Sequence, residues 1–306
     1  MGTTGRTAME STRVKKSGAK RLLQMLLWTG VAVASPGRVL AQTPLSQSDL
    51  YCAGFYTQRP IETGLLVQGS EDGSFKNEFA TGDYVYLNKG KDAITAPGGQ
   101  YAVLRPVKDI NRKEAFAGQL KLLMGLGTLY AEVGRLEVAV LHEHSATAKI
   151  LMACDSISAG DIAIPFNARN APAYRSPHQT DRFAPSTGKA TGMIAAAKEF
   201  DAWLGEGKVV YLNLGSAQGV QVGSYFHLVR SYLGGGNAQF ANAGRSFPIE
   251  MNDTQMGRKL TPEEEATLPQ EVLGEVMVLS VEEGSATGMI TYSRTEIGVG
   301  DSVELE

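Results

Sequence analysis

The sharpest polar cluster in the chain is His142-Glu143-His144. Alternate residues of a strand share a face, so His142 and His144 could present two imidazoles to one zinc ion. His178 or Asp155 would complete the ligand set of a metal-dependent hydrolase. No third ligand stands at a diagnostic spacing, however, and the segment falls at a hairpin end, where the same side chains face solvent. Asp161 and Asp301 could be read as paired catalytic carboxylates. Each follows a glycine in the same short motif, Gly160-Asp161 and Gly300-Asp301, and that points to a turn instead. Nucleophilic chemistry finds less support. There is no G-x-S-x-G elbow, no Walker-type lysine follows the glycines at 234–236, and Cys52 and Cys154 have no evident histidine partner. No cofactor is implied.

The elements that must position these residues are written twice. "VYLNKG" at 85–90 returns as "VYLNLG" at 210–215, and at the same offset Arg105 falls on Arg230. Upstream, "TGLLV" at 63–67 faces "TGMIA" at 191–195. Downstream, 133–166 aligns without gaps to 273–306, so that Gly134, Ser145, Ala146, Thr147, Gly160 and Asp161 repeat as Gly274, Ser285, Ala286, Thr287, Gly300 and Asp301. The chain is a tandem duplication. Each copy reads as short strands between glycine-rich turns, in the first copy at 65–68, 84–88, 101–105, 135–142, 147–153 and 162–166. Leu136, Val138 and Val140 are expected on one face. Six such strands bury their apolar faces most simply in a small antiparallel barrel. The expected fold class is all-β, two tandem small antiparallel β-barrels with short helices in the insertions.

The expected organisation is a signal peptide at 1–41, an extended lead at 42–62, a first barrel at 63–166, a proline-rich surface linker at 167–190 and a second barrel at 191–306. The leader reading rests on the basic residues Arg13, Lys15, Lys16, Lys20 and Arg21, a 13-residue mostly apolar run at 22–34, and cleavage after Ala41. That run is too short to span a membrane. The leader holds seven of the 29 basic and one of the 32 acidic side chains, leaving 22 basic against 31 acidic, a net charge of −9. A chain so acidic lacks the basic footprint that nucleic acid or anionic lipid requires. The expected address is periplasmic or secreted, with no membrane span in the mature chain. In that compartment Cys52 and Cys154 are candidates for one disulfide, worth roughly 4 to 5 kcal/mol for a loop of about 100 residues; two separate cysteines are the alternative.

The copies differ in their insertions. Residues 110–124 place Phe116, Leu120 and Leu123 at helical spacing, which predicts a short helix across a barrel mouth. The longer insertion at 231–272 opens on a Gly/Asn/Ala loop, with Tyr232, Phe240 and Phe247 as candidate partner contacts, and ends on a short helix capped by Thr261 with Pro262 in its first turn. "AAAKEFDAWL" at 195–204 starts as a strand, with Trp203 in the loop that follows.

The pattern "VYLNLG…GVQVGSYFHLVR…VLGEVMVLSVEEGSATGMI…IGVGD" resembles the C-terminal domain of the flagellar assembly protein T family and the β-domains beside LysM modules in exported bacterial envelope proteins. The resemblance covers each repeat. It implies a periplasmic, non-enzymatic role in envelope assembly or attachment, with an envelope protein or cell-wall component as partner and no catalytic residues. The chain has neither a LysM module nor the N-terminal α/β domains of the flagellar protein. A structural or protein-binding role, with the insertions 106–132 and 231–272 as recognition surface, is the leading expectation. A His142/His144 zinc hydrolase is the alternative, and a small-molecule-binding barrel ranks last, because so small a barrel fills its interior with side chains.

Overall fold

The computed structural model describes residues 45–71, 75–108, 114–175, 181–199, 201, 203–230, 261, 263–264 and 267–306. The leader with its cleavage site after Ala41, His178, the glycines at 234–236, and Tyr232, Phe240 and Phe247 lie outside them. No helix among the described residues is long and apolar enough to cross a membrane.

The first copy comprises β2 (Val67–Ser70), β3 (Glu78–Phe79), β4 (Tyr84–Leu87), β5 (Gln100–Pro106), β6 (Thr128–Leu141), β7 (Ala146–Ala153), β8 (Ile157–Ser158) and β9 (Ile162–Pro165). It is preceded by α1 (Gln47–Tyr51) and β1 (Phe55–Thr57), and α2 (Gln119–Leu126) interrupts it. The second copy comprises β10 (Thr191–Ala197), β11 (Trp203–Leu204), β12 (Val209–Leu212), β13 (Tyr225–Arg230), β14 (Glu271–Val281), β15 (Ala286–Ser293), β16 (Ile297–Gly298) and β17 (Ser302–Leu305).

The two copies share one topology. The second closes as a six-stranded antiparallel barrel in the order β10-β12-β15-β14-β13-β17. The first runs β2-β4-β7-β6-β5-β9, and its outer strands meet at a single bridge, Leu66 to Ile162, so it is a curled sheet at the verge of closure. Equivalent apolar residues fill both interiors: Val85, Leu87, Leu136, Val138 and Ile150 in the first, Val210, Leu212, Val276, Val278 and Ile290 in the second. One facing differs from expectation. Val140 is 49% exposed, because a bulge between Val138 and Val140 inserts an extra residue and turns it away from Leu136 and Val138.

The Gly-Asp motifs are turns, and they anchor an arginine. Gly160 and Gly300 sit at φ 96° and 97°, where a Cβ is disfavoured. The following aspartate then points inward. Asp161 accepts two hydrogen bonds of 2.7 Å from Arg105, and Asp301 accepts from Arg230 at 2.9 and 2.6 Å. Each carboxylate also accepts a backbone N–H three residues back, from Ser158 and Gly298.

The first insertion folds differently from its periodicity. The helix starts at Gln119, after Gly118 at φ 85°, so Phe116 lies in the preceding turn; residues 109–113 are outside the described chain. Phe116 and Leu123 are buried and Leu120 is 36% exposed. This segment packs on the second barrel, where Phe116 joins the apolar core. Gln119 donates 2.8 Å to the carbonyl of Ala195, the residue bulged out between Ile194 and Ala196. The buried side of residues 114–126, Phe116, Gln119, Leu123 and Leu126, is therefore committed to packing inside the molecule, while Leu120, Lys121 and Met124 stay exposed. Trp203 belongs to a two-residue strand opposite Gly298. Thr261 exchanges capping hydrogen bonds with Glu264.

Candidate functional site

The lead, expected to be merely extended, is the joint of the molecule. Ser46 and Asp49 form a capping box that starts α1, and Cys52 is bridged to Cys154 at the end of β7. β1 then pairs with the start of β6, Tyr56 opposite Leu129. Its other side meets the second barrel. Thr287 donates 2.9 Å to the Gly54 carbonyl, Ser285 2.8 Å to the Tyr56 carbonyl and Tyr211 2.9 Å to the Ala53 carbonyl, while Thr57 donates 3.1 Å to Glu282. Gly54 is required there. It has φ 71°, and a Cβ would lie 2.8 Å from the Tyr130 carbonyl oxygen. The Tyr56 ring is fully buried edge-on to Tyr211, and burial pushes its phenol up to about 12.

Beside this joint runs a groove of about 480 Å³. Its chemistry is aromatic and cationic. Arg135 lies 4.7 Å from the Phe166 ring centre and 5.7 Å from that of Tyr51, and Arg169 lies 4.9 Å from Tyr51. Arg169 is also paired at 2.5 Å with buried Glu132. Burial pushes the Glu132 carboxyl above its usual range, against the pull of Arg169. Arg135 donates 3.3 Å to Gln47 and contacts no carboxylate among the described residues. Planar guanidinium groups over aromatic rings suit recognition of acidic or aromatic groups. Among the described residues that line the groove there is no nucleophile–base pair.

The linker supplies one of the two groove cations, Arg169, while Arg135 comes from β6. Arg169, Arg175 and Arg182 recur along 167–190, and each reaches a glutamate on a long barrel strand, respectively Glu132, Glu275 and Glu271. That recurrence, in a stretch poor in aliphatic residues, is the signal by which the sequence could have revealed them. Nothing in local spacing marks Tyr51 or Arg135.

Arg175 also pairs with Glu306, whose carboxylate lies 3.0 Å from His227 Nε2. Burial opposes ionisation of Glu306, but the hydrogen bonds from His227 and Arg175 outweigh it and draw the carboxyl down from 4.5 to about 2. A depressed carboxyl stabilises the fold above the unfolded value and loses that contribution as the pH falls through the folded one. The gap in melting temperature between the parent and Glu306→Gln is thus expected to be full at pH 6 and to shrink between pH 4.5 and 2. A gap independent of pH would contradict the assignment.

The histidine cluster does not assemble. His142 Nε2 is 2.9 Å from the Thr147 hydroxyl, and His144 is exposed at the hairpin tip. Asp155 lies beyond the far end of the eight-residue strand β7, roughly 26 Å away at strand rise. Among the described residues no three His, Cys, Asp or Glu side chains group as metal ligands. Asp161 and Asp301 sit in separate barrels, each engaged by its own arginine. No family model matches this chain, and no curated protein matches it.

Proposed function

We propose that this chain is an exported, non-enzymatic protein of the cell envelope, acting as a structural or protein-binding module in assembly or attachment to an envelope protein or cell-wall component. The observation that carries this reading is the Cys52–Cys154 bridge at the joint of two barrels whose interiors are filled by side chains. A bridged pair favours an oxidising compartment. Filled barrels leave recognition to outer surfaces such as the arginine–aromatic groove. The leader-like residues 1–41, the acidic remainder and the resemblance to envelope β-domains agree with it.

Expression of the full chain in a bacterial host, followed by fractionation and N-terminal sequencing, tests export. The expected result is a periplasmic or medium form beginning at Gln42 and resistant to thiol alkylation until reduced. An unprocessed cytosolic chain with two free thiols would refute it.

A further inference from the structure

The second barrel holds the lead as an extended guest, and the first barrel carries the same holding residues on a face that no other described segment covers. Tyr211, Ser285 and Thr287, which donate to the lead carbonyls, have Tyr86, Ser145 and Thr147 as counterparts; Glu282, which accepts from Thr57, has His142. Register is preserved. Tyr86 stands opposite Thr147 as Tyr211 stands opposite Thr287, and Gly69, beside a bulge at Gln68, stands opposite Tyr86 as Ala196, beside the bulge at Ala195, stands opposite Tyr211. On the second barrel the Tyr56 ring packs against Ala195, Ala196 and Tyr211, and the space remaining beside it is about 10 Å³. On the first barrel the hollow among Gln68, Gly69, Tyr86, His142 and Ser145 is open and measures about 480 Å³.

We propose that this face of the first barrel binds an extended segment of another protein, one with an aromatic side chain two residues after a small residue, as Tyr56 follows Gly54. The proposal deepens the protein-binding reading and rests on it for the existence of a partner; it does not depend on export. The hydroxyl chemistry is in place. With the His142 ring N–H donating to Thr147 Oγ1, 2.9 Å away, the Thr147 proton is left to donate to a guest carbonyl, as Thr287 donates to Gly54. The surroundings set the guest's flanks. Tyr84, Glu137 and Lys149 stand where the second barrel has Val209, Met277 and Met289, so polar flanking residues fit where the lead presents Leu45 and Ala53. A second copy of this chain is a poor occupant, because its own Tyr56 is fully buried and its lead is tied down by the disulfide.

The probe is a fluorescent peptide of residues 50–60 carrying Cys52→Ser and Ala53→Ser, the latter to give the polar flank, titrated with the mature chain and followed by anisotropy. Saturable binding is expected. A Cβ at Gly69 meets nothing within 4 Å, so Gly69→Trp places its ring in the hollow without displacing backbone and should weaken binding about tenfold or more. Thr147→Val, which removes one donor, should weaken it about fivefold, with both variants melting as the parent does. Absence of saturable binding, or binding that Gly69→Trp leaves intact, overturns the proposal. Self-association of the protein that Gly69→Trp abolishes would overturn it too, by making a second copy the occupant. Export failing in the fractionation leaves this titration unaffected, so the two readings fail separately.

Discussion

Replacing Cys52 and Cys154 together with alanine is expected to lower the unfolding free energy by about 4 to 5 kcal/mol, since the bridge closes a loop across 102 residues. For a chain of this size each kcal/mol moves the melting temperature by roughly 2 to 4 °C, so a fall of about 8 to 20 °C should be seen. The loss has a local face as well. The bridge holds Cys52 next to Ala53 and Gly54, whose carbonyls accept from Tyr211 and Thr287, and the chain then delivers Tyr56 into the joint. Hydrogen exchange should therefore rise first in β1 and in the opening residues of β6, while β12 and β15 stay protected inside their own barrel. Calorimetry of the parent with and without reductant gives the same comparison without substitution. A melting temperature that neither reductant nor the double substitution moves would show that the joint holds without its covalent tie.

The second large effect is expected from Arg230→Met. Asp301 is fully buried, and its two oxygens accept from Arg230 Nε at 2.9 Å and Nη2 at 2.6 Å. Removing the guanidinium takes the paired charge from a fully buried carboxylate, which costs about 3 to 5 kcal/mol. Adding Asp301→Ala to Arg230→Met should recover part of that loss but not all, because the Gly298 N–H then loses its acceptor. Arg105→Met should act in the same direction on the first barrel, where Asp161 makes the matching pair. Since the carboxylates are buried, raising the salt concentration should leave the effects nearly unchanged. Chemical denaturation of the parent and the three variants measures this. Loss below about 1 kcal/mol for Arg230→Met would place the pair among exposed ion pairs of little consequence.

Two classes of residue separate cleanly in this molecule. Val85 with Val210, Leu136 with Val276 and Gly160-Asp161 with Gly300-Asp301 announce their roles locally: alternation puts a side chain inside, and a glycine before an aspartate makes a turn. The residues of the joint announce nothing. Tyr56 is one tyrosine among eleven, and its burial depends on Tyr211, Ser285 and Thr287, which approach it from the other barrel. Phe116 reads as helical and sits in a turn, because Gly118 delays the helix and the second barrel's core takes the ring. Val140 reads as inward and faces out, since a single bulged residue reverses the alternation beyond it.

By itself the sequence determined the duplication, the all-β class, the paired turns and the acidic balance, all of which follow from composition and from interactions within a strand or between neighbouring strands. The tertiary structure decided that the lead is the wedge between the barrels, that the linker arginines neutralise glutamates on the long barrel strands, and that the lead covers one face of the second barrel while no other described segment covers the matching face of the first. Those outcomes depend on which surfaces meet across large separations in the chain, and a contact of that kind leaves no periodic or compositional trace in the residues that make it.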